Sequence, residues 1–169
     1  MGKAYLSLGS NQSPEANLRS AFAALRARFG DIVASVVYRF PAVGFEGADF
    51  LNAAAVIDSD LDPYALNDWL HALEDAHGRD RSGPRFGDRP LDIDIVFYDD
   101  LVLDGPGHLQ LPRDELKHAF VLKPLAEIAP DFIDPRSGRT LASLWAQSSQ
   151  RDMLFVPAFD SAPDPNGDE

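Results

Sequence analysis

Residues 91–98, Leu-Asp-Ile-Asp-Ile-Val-Phe-Tyr, set apolar side chains against two acids and then turn wholly apolar. Side chains of a strand alternate between its faces, so Leu91, Ile93, Ile95 and Phe97 are expected to enter a core while Asp92 and Asp94 leave together by the opposite face. Residues two apart on a strand are separated by about 7 Å at Cα, near enough for both carboxylates to converge on one ion. Two like charges held that close disfavour each other's ionisation unless a cation joins them. A hard divalent ion whose shell is completed by phosphate oxygens meets that need, and magnesium is the expected metal. An isolated Asp-x-Asp is also an ordinary solvent-face pattern, so its neighbours decide the reading.

Directly upstream, residues 78–89 (GRDRSGPRFGDR) place Arg79, Arg81, Arg85 and Arg89 among three glycines and a proline. Such a stretch cannot bury a core face and is expected to be a mobile lid able to fold over the acids. Phosphoryl transfer asks a protein mainly for alignment and charge neutralisation, which a metal and arginines together supply. The bland alternative is a solvated, charged turn.

Outward from this centre, Lys3 to Gly9 reads as a first strand. Ser13-Pro14-Glu15 starts a helix over Pro14 to Phe29, closed by Gly30. Ile32 to Tyr38 and Phe50 to Ile57 read as strands flanking the turn-rich PAVGFEGAD. Asp62-Pro63 opens a second helix that carries Leu66, Trp69, Leu70 and Leu73 on one face and reaches Glu74 and His77 before Gly78. Val121 to Ile128 offers a third helix interrupted near its start by Pro124, and Thr140 to Gln147 a fourth. The order strand, helix, strand, strand, helix, strand is the split βαβ pattern: an α+β fold with a mainly antiparallel sheet, helices on one face, and an open face for a site. On the third strand Phe50 and Asn52 share one side, an aromatic and a carboxamide suited to a flat heterocycle, with Phe120 able to close over it. Each of the three also has the ordinary reading of core packing or strand-end polarity.

A chain of 169 residues, 45% hydrophobic, suits one domain, expected over residues 1–159 with an acidic, disordered tail at 160–169. It has no cysteine, which excludes disulfides and thiolate zinc and fits a reducing, cytoplasmic setting. The N-terminal stretch lacks the apolar length of a signal or membrane segment. A net charge of −12 opposes general affinity for nucleic acid or an anionic membrane. The histidines, His71, His77, His108 and His118, are too scattered for a zinc site, and no Walker loop or dinucleotide fingerprint is present.

The run GRDRSGPRFGDRPLDIDIVFY (78–98) resembles the signature of the hydroxymethyldihydropterin pyrophosphokinases of folate biosynthesis. The resemblance extends to YLSLGSN (5–11), VVYRFPAVG (36–44), DFLNAA (49–54) and FVLKPLAEIAPDF (120–132), covering nearly all of Lys3 to Phe132. It implies a ferredoxin-like sandwich and transfer of pyrophosphate from ATP to the pterin hydroxymethyl group, with two Mg²⁺ ions and a monomeric enzyme. On the same basis Asp92 and Asp94 match metal-binding acids, and with Arg79 and Arg89 they form the catalytic group. Glu74, Arg79, Arg81, Phe86, Arg89, Ile95 and His118 match positions around ATP. Pro41, Val43, Gly44, Phe50, Asn52 and Phe120 match the pterin pocket, its aromatic pair being Phe50 and Phe120. Phe40 departs from the family's frequent threonine, Asp88 from proline and Arg113 from histidine. The stretch Pro112 to Phe120 is one residue short, so that His118 falls where an arginine is usual. A paralogue acting on another pterin, or a non-catalytic pterin or nucleotide module, is the alternative.

Overall fold

The computed structural model describes residues 1–40, 50–78, 90–105, 109–151 and 156–160. Five strands form the path of the main sheet, β5 (Asp92–Tyr98), β1 (Gly2–Ser10), β4 (Phe50–Ser59), β3 (Val36–Phe40) and β8 (Val156–Asp160), in that order and with every pairing antiparallel. The two-residue β2 (Val33–Ala34) also pairs with β4. A hairpin of β6 (Leu103–Asp104) and β7 (Gln110–Leu111) stands apart. Helix α1 (Pro14–Phe29) links β1 to β2, and α2 (Pro63–Ala76) links β4 to β5. In each case another strand lies between the two that the helix joins, which is the split βαβ arrangement of the ferredoxin-like fold.

Both helices begin and end where the residues dictate. Helix α1 opens on Pro14, whose missing N–H is one the first turn would leave unpaired, and its C-terminal Gly30 adopts φ 84°, a conformation glycine takes without strain. Helix α2 is capped by Asp62, whose carboxylate accepts the Ala65 N–H at 2.8 Å. Leu18, Ala21, Phe22 and Leu25 of α1, with Leu66 and Leu70 of α2, pack against Ala4, Leu6, Leu8, Ile57, Ile93 and Ile95 in the larger of the cores. The expected strand from Ile32 to Tyr38 is broken at Ser35. Its N–H donates to the Ala54 carbonyl at 2.9 Å, while its Oγ accepts the Ala54 N–H at 2.9 Å, so a side chain stands in for one main-chain acceptor at the break.

The structure corrects two further expectations. The second face of the sheet is not open along its length: α3 (Ala119–Ile128) and α4 (Leu141–Ala146) cover part of it, with Val121, Leu122, Leu125 and Leu141 packed on Tyr5, Ala54, Val96 and Phe97. Helix α3 carries Pro124 inside it, where the ring removes one helical hydrogen bond without ending the helix. Phe97 also faces the opposite way from Ile93 and Ile95. The pairing of β1 with β5 slips between Tyr5 and Leu6, so that Ile95 opposes Leu6 and Phe97 opposes Tyr5, leaving Val96 as an extra residue. A bulge of this kind inverts the alternation beyond it. Phe97 therefore joins Tyr5 and Phe132 in an aromatic cluster of the second core, with centroids 6.0 Å from Tyr5 and 4.8 Å from Phe132. Among the described residues no helix is long and apolar enough to cross a membrane.

Candidate active site

The register of four strands lines up one row of residues across the second face. Asp92 opposes Gly9, Gly9 opposes Asn52, and Asn52 opposes Tyr38. With neighbouring strands about 4.8 Å apart, Asp92 and Asn52 are separated by roughly 10 Å across a glycine. Next to that row, Asp94 opposes Ser7 on β1, and Phe40 opposes Phe50. The acids therefore stand at one end of the strip, and the amide and aromatics at the other.

Gly9 has a specific reason to be glycine. A Cβ added there would lie 2.7 Å from Asn52 Nδ2, so the carboxamide crosses the space a side chain would fill. Asn52 is 6% exposed, and its Oδ1 is buried with no hydrogen-bond partner. An unpaired buried carbonyl oxygen costs about 1–3 kcal/mol, which makes it a strong acceptor for an incoming N–H. Beside it, Tyr38 donates its hydroxyl to Glu127 Oε1 of α3, while Glu127 Oε2 accepts the Val36 N–H at 3.0 Å. Burial first, then this hydrogen bond, push the Tyr38 phenol up to about 12. A single carboxylate thus fastens α3 to β3 beneath the aromatic end of the strip.

Phe120, in the first turn of α3, packs with the cluster of Tyr38, Phe40 and Ala119. The imidazole of His118 stacks on it, with centroids 5.1 Å apart and planes 9° from parallel. The structure thus places His118 against the aromatic that the family resemblance matches to the pterin pocket. The Ala119 N–H is capped by Gln150 Oε1 at 2.6 Å.

At the acidic end, desolvation and then the charge of Asp92 push the Asp94 carboxyl up to about 8, with Arg113 pulling in the other direction. Arg113 is the residue that sequence reasoning missed as part of the site. Its Nη2 lies 3.6 Å from Asp94 Oδ1 and its Nε 3.4 Å from Glu115 Oε2. Its only signal in the sequence was the departure from a histidine after Pro112. Glu74 is 2% exposed and accepts the Ile93 N–H at 2.7 Å, so its carboxylate ties the last turn of α2 to the start of β5 between the two acids. Ile95 buries its side chain in the first core at 1% exposure, and supports the strand from behind the strip.

The structure therefore brings Asp92, Asp94, Asn52, Phe50 and Phe120 to one side of the sheet. Pro41, Val43, Gly44, Arg79, Arg81, Phe86 and Arg89 lie outside the described residues, as do Asp88 and the expected tail from residue 161. Among the described residues no three His, Cys, Asp or Glu side chains gather as a complete metal cage. Nucleotide-bound Mg²⁺ requires no such cage, since one or two carboxylates with phosphate oxygens and water complete its shell. Two adjacent acids, Asp94 raised by desolvation and then by the charge of Asp92, fit that donor set.

Comparison with known proteins identifies the family and the fold. The chain is 39% identical over 148 residues to 2-amino-4-hydroxy-6-hydroxymethyldihydropteridine pyrophosphokinase of Synechocystis sp., covering 85% of this chain and 75% of that protein. It is 42% identical over 138 residues to the enzyme of the same name from Methylorubrum extorquens, covering 79% and 86% respectively. The crystal structure of wild-type Plasmodium falciparum HPPK-DHPS superposes with a TM-score of 0.67 at 15% identity, covering 90% of this chain. The chain spans 45% of that longer protein's length, and the likeness there is one of fold. A sequence model of 7,8-dihydro-6-hydroxymethylpterin-pyrophosphokinase (HPPK) matches residues 5–130, and the chain belongs to this family.

Proposed function

We propose that the strip from Asn52 to Asp94 is where this chain carries out its family's reaction: transfer of pyrophosphate from ATP to 6-hydroxymethyl-7,8-dihydropterin in folate synthesis. The pterin hydroxyl oxygen bonds to the β-phosphorus of ATP and gives up its proton to solvent, the bond between that phosphorus and the oxygen bridging to the α-phosphate breaks, and AMP leaves with that oxygen. The observation that carries the placement is the buried, unpartnered Oδ1 of Asn52 beside a glycine floor. A pterin edge offers N–H donors to this acceptor, and its flat ring suits a site bounded by Phe50 and Phe120. With the ring held there, an exocyclic arm pointing along the row reaches towards Asp92.

Asp92 and Asp94 would hold Mg²⁺, which when bound neutralises phosphate charge and acts as a Lewis acid on the transferring group. The protein's own contribution is position. The sheet register fixes the separation of amide and acids, Glu74 pins the main chain of Ile93 between the two carboxylates, and Glu127 secures the base of the pterin end. Arg79, Arg81 and Arg89 are proposed to spread charge on the triphosphate, and Phe86 to close over it. Expected surroundings are the cytoplasm and a monomeric state.

The test is phosphorus NMR of ATP, Mg²⁺ and hydroxymethyldihydropterin with the wild type and with Asp94→Ala. AMP and pterin diphosphate should form with the wild type, and the variant should lose about 10³-fold or more of the rate. Wild-type protein that binds both ligands by calorimetry yet releases no AMP would instead be a binding module.

A further inference from the structure

Arg113 occupies the position of a cation at the carboxylate that the reading above gives to a metal. Its main-chain N–H donates to the Val96 carbonyl at 3.1 Å, which anchors the residue alongside β5. From that anchor its guanidinium sits between Asp94 at 3.6 Å and Glu115 at 3.4 Å. Both are ion-pair contacts rather than directed hydrogen bonds, and Arg113 Nε is buried without a hydrogen-bond partner. A guanidinium normally uses its fork of donors bidentately on carboxylate or phosphate, so this one is held by charge while its directional bonding is unspent. The carboxylates around it are Asp94 and Glu115 in contact, with Asp92 and Glu74 acting on the same Asp94.

We propose that Arg113 is a resident counter-cation that opposes loading of a bare divalent ion at Asp94 and turns to phosphate oxygens when the ion arrives with its nucleotide. This rests on the assignment of Asp94 as a metal ligand. A bare dication must approach within a few ångströms of an existing positive charge, and at that range repulsion at a partly exposed site amounts to about a tenfold change in affinity. A nucleotide-bound dication brings negative oxygens with it, which give the guanidinium the bidentate partners it lacks. Arg113 is thus a positioning residue that selects the metal–nucleotide complex over the free metal.

The experiment measures Mn²⁺ binding by the electron paramagnetic resonance signal of the free ion, with and without a non-hydrolysable ATP analogue. The proteins are the wild type, Arg113→Gln, Arg113→Lys and Asp94→Asn. Arg113→Gln should bind Mn²⁺ alone about tenfold more tightly than the wild type, whereas in the presence of the analogue its affinity should not rise. Arg113→Lys, which keeps the charge, should stay near the wild type for Mn²⁺ alone. Unchanged or weaker binding of Mn²⁺ alone by Arg113→Gln overturns the proposal. If that variant does not fold, Arg113→Met takes its place under the same criterion. Asp94→Asn separates the two layers: Mn²⁺ binding that this variant leaves intact removes the metal assignment itself, whatever Arg113 does.

Discussion

On the face covered by α1 and α2 the sheet contributes Ala4, Leu6, Leu8, Ile57, Ile93 and Ile95, all essentially inaccessible to water. On the other face the same strands contribute Ser7, Tyr38, Asn52, Asp92 and Asp94, and α3 with α4 covers only the aromatic and aliphatic remainder. In the first core the Tyr98 hydroxyl is satisfied by the Leu61 carbonyl. The second face retains an orphaned amide oxygen, a carboxyl pushed up to about 8 and an arginine without directed bonds. Stability is concentrated where the side chains are interchangeable in chemistry and constrained in volume; reactivity is concentrated where several polar groups are incompletely satisfied. Natural proteins accept such local costs at functional sites.

The sharpest way to break this contrast is to damage the first face. Phe22→Ala, which empties a fully buried ring site, should cost about 3–5 kcal/mol in denaturant unfolding while leaving turnover per folded molecule near the wild type. Loss of specific activity in the molecules that remain folded would show that the two faces are not separable. A smaller effect is expected on the second face from Gly9→Ala. The added methyl collides with Asn52 Nδ2, so the pterin KM should rise about tenfold, or ~1.4 kcal/mol, with the ATP KM unchanged. Equal changes in both constants would place Asn52 outside the pterin end.

The smallest effect has the opposite sign. Asp94 has its carboxyl raised in the folded chain, so between about pH 4 and pH 8 the folded state holds more proton than the unfolded one, and stability falls as pH rises through that window. Asp94→Asn should remove this slope and, in metal-free buffer at pH 8, raise Tm by about 2–4 °C even as it abolishes transfer. A variant with a lower Tm at pH 8 would mean that the Arg113 contact outweighs desolvation and the repulsion from Asp92 together.

How far the sequence foretold this arrangement differs between the same regions. Helix α1 was readable to the residue because Pro14 and Gly30 act locally, and α2 because Asp62 and Pro63 do. The acid pair was readable because alternation holds from Asp92 to Ile95. Phe97 was not, since a bulge is a property of two strands and leaves no mark on the pattern of one. The burial of Glu74 against the Ile93 N–H and the approach of Arg113 to Asp94 each join different elements of the chain. Hydrophobic periodicity carries no information about such meetings. Strand β8 is a similar case: its pairing with β3 depends on where the C-terminal part of the fold delivers it.

The extra residue at Val96 makes β5 two half-strands of opposite polarity. Before it, odd-numbered side chains serve the aliphatic core and even-numbered ones the reactive strip; after it, Phe97 lies under α3 and Tyr98 returns to the other side. Adding a further residue there would invert every position downstream, sending a phenylalanine into space shaped for tyrosine and dragging the following hairpin out of phase. Many substitutions along this strand are therefore survivable where one insertion is not, and the number of residues between Asp94 and Tyr98 is a stricter requirement than their identity.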